Sequence, residues 1–253
     1  MQVLNRKLTE KTEQIVSSAL AGLPVTVQFK DIKDIGRSSY GSTDCSQYIK
    51  GYCTIYLNLE QNTLEFETTI LHELRHIWQI GKGYPYVENK IANSVFQSEP
   101  AFYENLGSQI QSVVLDLDVI QYLKKLGYLS SIFSAYNDTD DLSNRFSEVS
   151  NQSIQAPWNL ASAALSLYAV FIRADELSKP VILRAADAFP KIIEECKLIE
   201  REISMDLCND PLYCAKAMGW IIDHFSLWTL YLVIYRGKRI RTHNEYLNLL
   251  AMR

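Results

Sequence analysis

Residues 70–80 read ILHELRHIWQI, with two histidines four positions apart and a glutamate directly after the first. At roughly 100° per residue, Phe66, Ile70, Leu71, Leu74, Ile77 and Trp78 share one arc, the stripe that faces a core. His72 and His76 lie together on the other side, one turn apart, with Glu73 at their flank. A histidine kept for packing more often sits on the apolar arc; these two point away from it together. Upstream, Asn62-Thr63-Leu64-Glu65 matches a capping box, and Gly81 supplies a stop. The stretch therefore predicts a capped amphipathic helix ending at Ile80.

Two imidazoles at i and i+4 bring their ring nitrogens within reach of one point and suit a tetrahedral Zn²⁺. Glu73 is too far round to be a third ligand and is placed to take a proton from water at the metal. His72, Glu73, Leu74, Arg75 and His76 thus spell H-E-x-x-H. In a chain with four histidines a chance match is expected on the order of once in a few hundred such sequences, so a metal site is the stronger reading.

Zinc that activates water needs a third protein ligand. A metzincin extension would place glycine at 79 and histidine at 82, where this chain has Gln79 and Lys82. His224 and His243 are remote and lack a supporting pattern. A carboxylate from the next helix remains. SEPAFYENLGSQIQ offers Glu99 and Glu104. Glu99 falls in the first turn, where acidic side chains commonly meet the helix end. Glu104 lies a turn further in, and Gly107 below it is read as a gap letting two helices approach; Glu104 is preferred, with Glu99 the alternative. Tyr84, Tyr86 and Tyr103 are near in sequence and offer hydroxyls for an oxyanion. Arg75 has no assigned role. Asp116 and Asp118 could orient a histidine, although a solvated face accounts for them more simply.

A strand, an H-E-x-x-H helix and then a glutamate-bearing helix resemble the zincin metallopeptidases, specifically their gluzincin-like branch. The HELRHxWQ-type helix is similar to those of small metallopeptidases from bacteria and phages. The likeness covers about Val25 to Leu126; nothing after Gly127 carries a matching motif. It implies that His72, His76 and Glu104 bind Zn²⁺ and that Glu73 is the catalytic base. The family's small residue below the third ligand is usually alanine, where this chain has Gly107. In zincins the strand before the motif helix often pairs with extended substrate. Thr54, Tyr56 and Asn58 on the free side of TIYLNL are therefore expected to bind substrate by strand addition.

Outside the motif, a helix is expected from about Asn5 to Leu20, closed by Gly22 and Pro24. VTVQFKDI (25–32) reads as a strand, GRSSYGSTDCSQYIKGY as a turn-rich segment, and TIYLNL (54–59) as a half-buried strand with Ile55, Leu57 and Leu59 inward. GKGYPYVENK is a loop, and a helix capped by Ser98 runs to about Leu126. After a polar loop, further helices span Trp158–Leu177, Pro180–Leu207 with a break at Pro190, and Leu212–Tyr235. The expected fold class is α+β: a zincin-like N-terminal part (1–135) with a small, mainly antiparallel sheet, followed by a mostly helical region (136–253), with one continuous domain as the alternative.

Composition narrows the function classes. At 47% hydrophobic and 21% charged residues the chain is an ordinary globular protein. A net charge of −4 gives no reason to expect a nucleic-acid partner. The basic run YRGKRIRTH reads as a solvated segment. The most apolar late stretch is interrupted by Asp223 and His224, which argues for a buried helix over a membrane span. The opening MQVLNRKLTEKTEQ is polar, so a secretory signal is not expected, and five cysteines without a CxxC pair suit reduced thiols. The expectation is a cytoplasmic site of synthesis; export without a signal would leave no mark in the sequence. The function read from these residues is zinc-dependent hydrolysis of a protein or peptide substrate. The alternatives are a catalytically silent zinc protein and a metal-free helical interaction protein.

Overall fold

The computed structural model describes residues 1–35, 40–90, 100–128, 157–174 and 189–252, with 179, 182, 186 and 187 between the last two ranges. Contacts divide it into two units, Met1–Lys82 with Gln121–Ile132, and Gly83–Ile120 with Phe133–Arg253. The division falls at residues 82/83, 120/121 and 132/133.

The first unit opens with a hairpin, β1 (Gln2–Val3) and β2 (Arg6–Lys7). Leu4 and Asn5 between them both take positive φ, 48° and 65°, as a two-residue turn of the I′ kind requires. The hairpin delays the first helix, α1, to Glu10–Ala21, where Thr9 caps Thr12 N and Glu10 and Glu13 fill the first turn. β3 (Thr26–Asp31), β4 (Gly41–Asp44) and β5 (Tyr52–Leu57) form one sheet in the order β3-β5-β4. β5 runs parallel to β3 and antiparallel to β4, so this sheet is mixed where a mainly antiparallel one was expected. The twenty residues between Asp31 and Tyr52 supply the crossover that parallel pairing demands. Cys53, Ile55 and Leu57 alternate into the core. α2 (Thr63–Gly81) carries the reciprocal Asn62–Glu65 capping box read from the sequence.

A buried carboxylate ties this unit together. Glu67 is 2% exposed and accepts hydrogen bonds from Thr9 N, Thr9 Oγ1 and Thr12 Oγ1, while Thr12 Oγ1 also meets Tyr128 OH at 2.6 Å. Three donors on one carboxylate offset its desolvation. Tyr128 follows α3 (Pro100–Leu126), whose end is closed by Gly127 at φ 78° with Tyr128 N on Leu123 O and Gly127 N on Lys124 O. Lys11 Nζ donates to Leu126 O at 2.6 Å, satisfying a terminal carbonyl of the same helix.

The second unit contains α4 (Pro157–Phe171), α5 (Pro190–Glu202), α6 (Pro211–His224) and α7 (His243–Leu250). It also holds an antiparallel sheet that the sequence reading missed: β6 (Tyr86–Asn89), β7 (Tyr231–Tyr235) and β8 (Lys238–Ile240). The helix expected to continue to Tyr235 stops at His224. Its end is a Schellman arrangement, with Leu227 N on Ile222 O at 2.7 Å and Ser226 N on Asp223 O at 3.0 Å. Ser226 occupies the left-handed position at φ 56°, where glycine is the usual signal. YLVIY then forms a fully buried strand. The basic run is the β7–β8 hairpin, turned at Arg236 and Gly237 with φ 49° and 72°. No described helix is long and apolar enough to cross a membrane.

Candidate metal centre

α2 puts its apolar stripe inward as predicted: Phe66, Ile70, Leu71, Leu74 and Ile77 are each at most 2% exposed. His72 and His76 are half-buried on another side of the helix. Their Nε2 atoms lie 3.0 Å apart, and the rings meet edge to face with centroids 4.7 Å apart. A tetrahedral zinc with Zn–N bonds near 2.05 Å separates two ligand nitrogens by about 3.3 Å. The imidazoles are therefore already close to the spacing of one ligand edge.

The protonation pattern also fits. His76 Nδ1 lies 2.9 Å from Gln79 Oε1. An amide oxygen only accepts, so Nδ1 carries the proton and Nε2 presents its lone pair towards His72. Gln79 is fully buried one turn beyond His76 and holds the ring from behind, as outer partners of ligating histidines do. The sequence displayed Gln79 only as a departure from the metzincin pattern. Its signal was the i+3 spacing from His76, which brings an amide to the back of the ring.

Glu73 is 8% exposed, and its Oε2 accepts from Thr43 Oγ1 at 2.6 Å. Thr43 belongs to β4, so the strand fixes the carboxylate's orientation. Gly41 on the same strand leaves the space that Glu73 occupies: a Cβ there would stand 3.1 Å from Glu73 Oε1 and collide with Thr69 Cγ2. Neither Thr43 nor Gly41 was singled out in the sequence, because the pairing that brings β4 against α2 is tertiary.

Thr54, Tyr56 and Asn58 do not serve as expected. β5 is the central strand, with β3 on one edge and β4 on the other, so its backbone has no edge open for an added strand. Strand addition at β5 is ruled out.

Arg75 stacks between two aromatic rings, its guanidinium carbon 3.6 Å from the Trp78 centroid and 4.9 Å from that of Tyr122. Burial pushes the Tyr122 phenol up, and the Arg75 charge opposes that shift. Tyr122 lies near the end of α3, so this contact brings α3's last turns beside α2.

Among the carboxylates, Glu99 lies outside the described residues, and Glu104 is exposed on α3. Gly107 does not act as the helix–helix gap expected of it. A Cβ there would fall 2.6 Å from Asn89 Oδ1 and 3.0 Å from Tyr231 Cε1, so β6 and β7 take the space, and Tyr231 OH donates to Tyr103 O at 2.7 Å. Asp116 and Asp118 are 3% and 2% exposed, which overturns their reading as a solvated face. Asp116 is ion-paired through Oδ2 with Arg173, itself 8% exposed. Of the tyrosines named for an oxyanion, Tyr84 donates its hydroxyl to Asn209 O at 2.9 Å, Tyr103 packs edge-on against Trp158, and Tyr86 is exposed on β6.

Comparison of the chain with family models, curated proteins and solved structures finds no match.

Proposed function

We propose that the protein is a zinc-dependent metallopeptidase in which His72 and His76 hold the metal and Glu73 is the general base. The observation that carries this is the pair of Nε2 atoms 3.0 Å apart, with the His76 proton committed to Gln79 on the opposite nitrogen. With its proton on Nδ1, His76 presents Nε2 as an acceptor to His72 Nε2, a position filled by a proton of His72 in the metal-free protein and by the cation when metal is bound. Gln79 and Thr43 further support a built site, since each orients one functional group from behind.

The third ligand in this reading is a further protein carboxylate. A zinc ion held by these residues would supply the Lewis acid for a water and the scissile carbonyl. Glu73 receives the proton of the attacking water and passes it to the departing amine. Thr43 keeps the accepting carboxylate aimed during both transfers, and Gln79 keeps His76 from rotating.

Peptide bonds are the proposed substrate because the motif resembles that of zincins. The test is zinc content and hydrolysis of a mixed peptide library by the wild type and by Glu73→Gln. Zinc in both with hydrolysis only in the wild type supports the reading. Zinc in both with no hydrolysis in either leaves a silent zinc protein, and no zinc in either removes the metal altogether.

A further inference from the structure

All five cysteines are free thiols, and Cys45 is the one that is not buried. It follows directly on β4, while its neighbour in space, Cys53, lies in β5. The β4–β5 register pairs Asp44 with Thr54, and one further step sets Cys45 opposite Cys53. Cys53 Sγ donates to Cys45 Sγ at 3.0 Å. Residues directly opposite on antiparallel strands have Cα atoms about 4.5–5.5 Å apart, inside the roughly 4.4–6.8 Å that a disulfide spans. Closing the sulfurs to a bond of about 2.05 Å therefore takes side-chain rotation, without movement of the strands.

The intervening chain is already shaped for closure. Residues 46–52 contain the 3-10 turn Tyr48–Lys50, and Gly51 takes φ 86° to turn the chain into β5. The other cysteine pair close in sequence, Cys208 and Cys214, also has interacting thiols but lies out of reach of a soluble oxidant. Cys208 Sγ and Cys214 Sγ each donate to a backbone carbonyl, those of Ser204 and Cys208, at 3.3 Å, and both residues are fully buried.

We infer that Cys45 and Cys53 are a reversible disulfide site, oxidised by exchange with a low-molecular-weight disulfide such as oxidised glutathione. Cys45, the accessible thiol, gives up its proton, and its sulfur attacks one sulfur of the oxidant. The oxidant's S–S bond breaks, one glutathione leaves as thiol, and the other stays bound to Cys45. Cys53 then loses its proton and attacks Cys45 Sγ, forming the intrachain bond and expelling the second glutathione as thiol. Two protein thiols are oxidised and one glutathione disulfide is reduced to two thiols, with the two protein protons ending on them. Burial pushes both protein thiols up, so thiolate is scarce and the first exchange is slow unless the oxidant is in excess. The bridge pins the end of β4 two residues beyond Thr43.

The experiment incubates the reduced full-length protein with excess oxidised glutathione, denatures it, alkylates remaining thiols and reads intact mass and tryptic peptides. Lys50 lies between the two cysteines, so trypsin separates them and a bridge appears as a crosslinked pair. The expected result is a fall from five alkylated thiols to three, a Cys45–Cys53 crosslink, and return to five after dithiothreitol. Cys53→Ser should trap glutathione on Cys45, and Cys45→Ser should carry no adduct. Five alkylated thiols after oxidation, a crosslink between other cysteines, or a lasting glutathione adduct on wild-type Cys45 would each overturn the inference. The wild-type count decides the matter even if a variant fails to fold.

Discussion

Gln79 Oε1 accepts the Nδ1 proton of His76 at 2.9 Å, and that bond determines which imidazole nitrogen faces His72. A ligand histidine whose tautomer is fixed in advance loses less freedom on binding metal than one that must first choose.

Replacing Gln79 with leucine keeps most of the buried volume but removes the acceptor. Zinc affinity is expected to drop by about 10- to 100-fold, the usual effect of deleting such an outer partner. Gln79→Glu, which restores an acceptor, should retain affinity. Competition with a chromophoric chelator measures both; a leucine variant that binds as tightly as the wild type would remove Gln79 from the site.

Glu73→Gln leaves both histidines in place and forfeits proton transfer. Hydrolysis is expected to fall by about 100- to 10,000-fold, the range that general acid–base groups contribute. Zinc stoichiometry should stay unchanged. Gly41→Ala probes the same carboxylate indirectly: the new Cβ would stand 3.1 Å from Glu73 Oε1, so kcat should fall with zinc retained.

Asp116→Asn removes the charge opposite the buried Arg173 and should destabilise the protein by about 3–5 kcal/mol in urea unfolding. A variant as stable as the wild type would mean that Asp116 does not neutralise that guanidinium.

Ser226 sits at the left-handed end of α6 with φ 56°. Glycine carries no Cβ penalty there, so Ser226→Gly should stabilise the protein by about 0.5–1 kcal/mol in urea unfolding. A neutral or destabilising result would mean that the serine compensates through a contact beyond its backbone.

Gly107→Ala should do the reverse. Its Cβ would meet the Asn89 side chain at 2.6 Å and the Tyr231 ring at 3.0 Å, and overpacking of this kind costs about 1–3 kcal/mol.

The sequence by itself determined what is local. The capping box at Asn62, the apolar stripe of α2, the pairing of His72 with His76 and the position of Glu73 all follow from spacing on one helix, and the structure keeps each of them. The inward alternation of Ile55 and Leu57 was equally legible, because a strand's inward face repeats every second residue, although Leu59, expected on the same face, lies beyond the strand and is half-buried. Only the tertiary structure decided that β5 lies between two neighbours, since strand order is a choice among partners distant in the chain. It also decided that YLVIY is a strand: an unbroken apolar run has no period, and Ser226 stands where a glycine would have marked the end of α6. Gly107 was visible as a missing side chain, but what fills the gap is Tyr231, more than a hundred residues away. A small residue announces that something comes close; the folded chain alone says what.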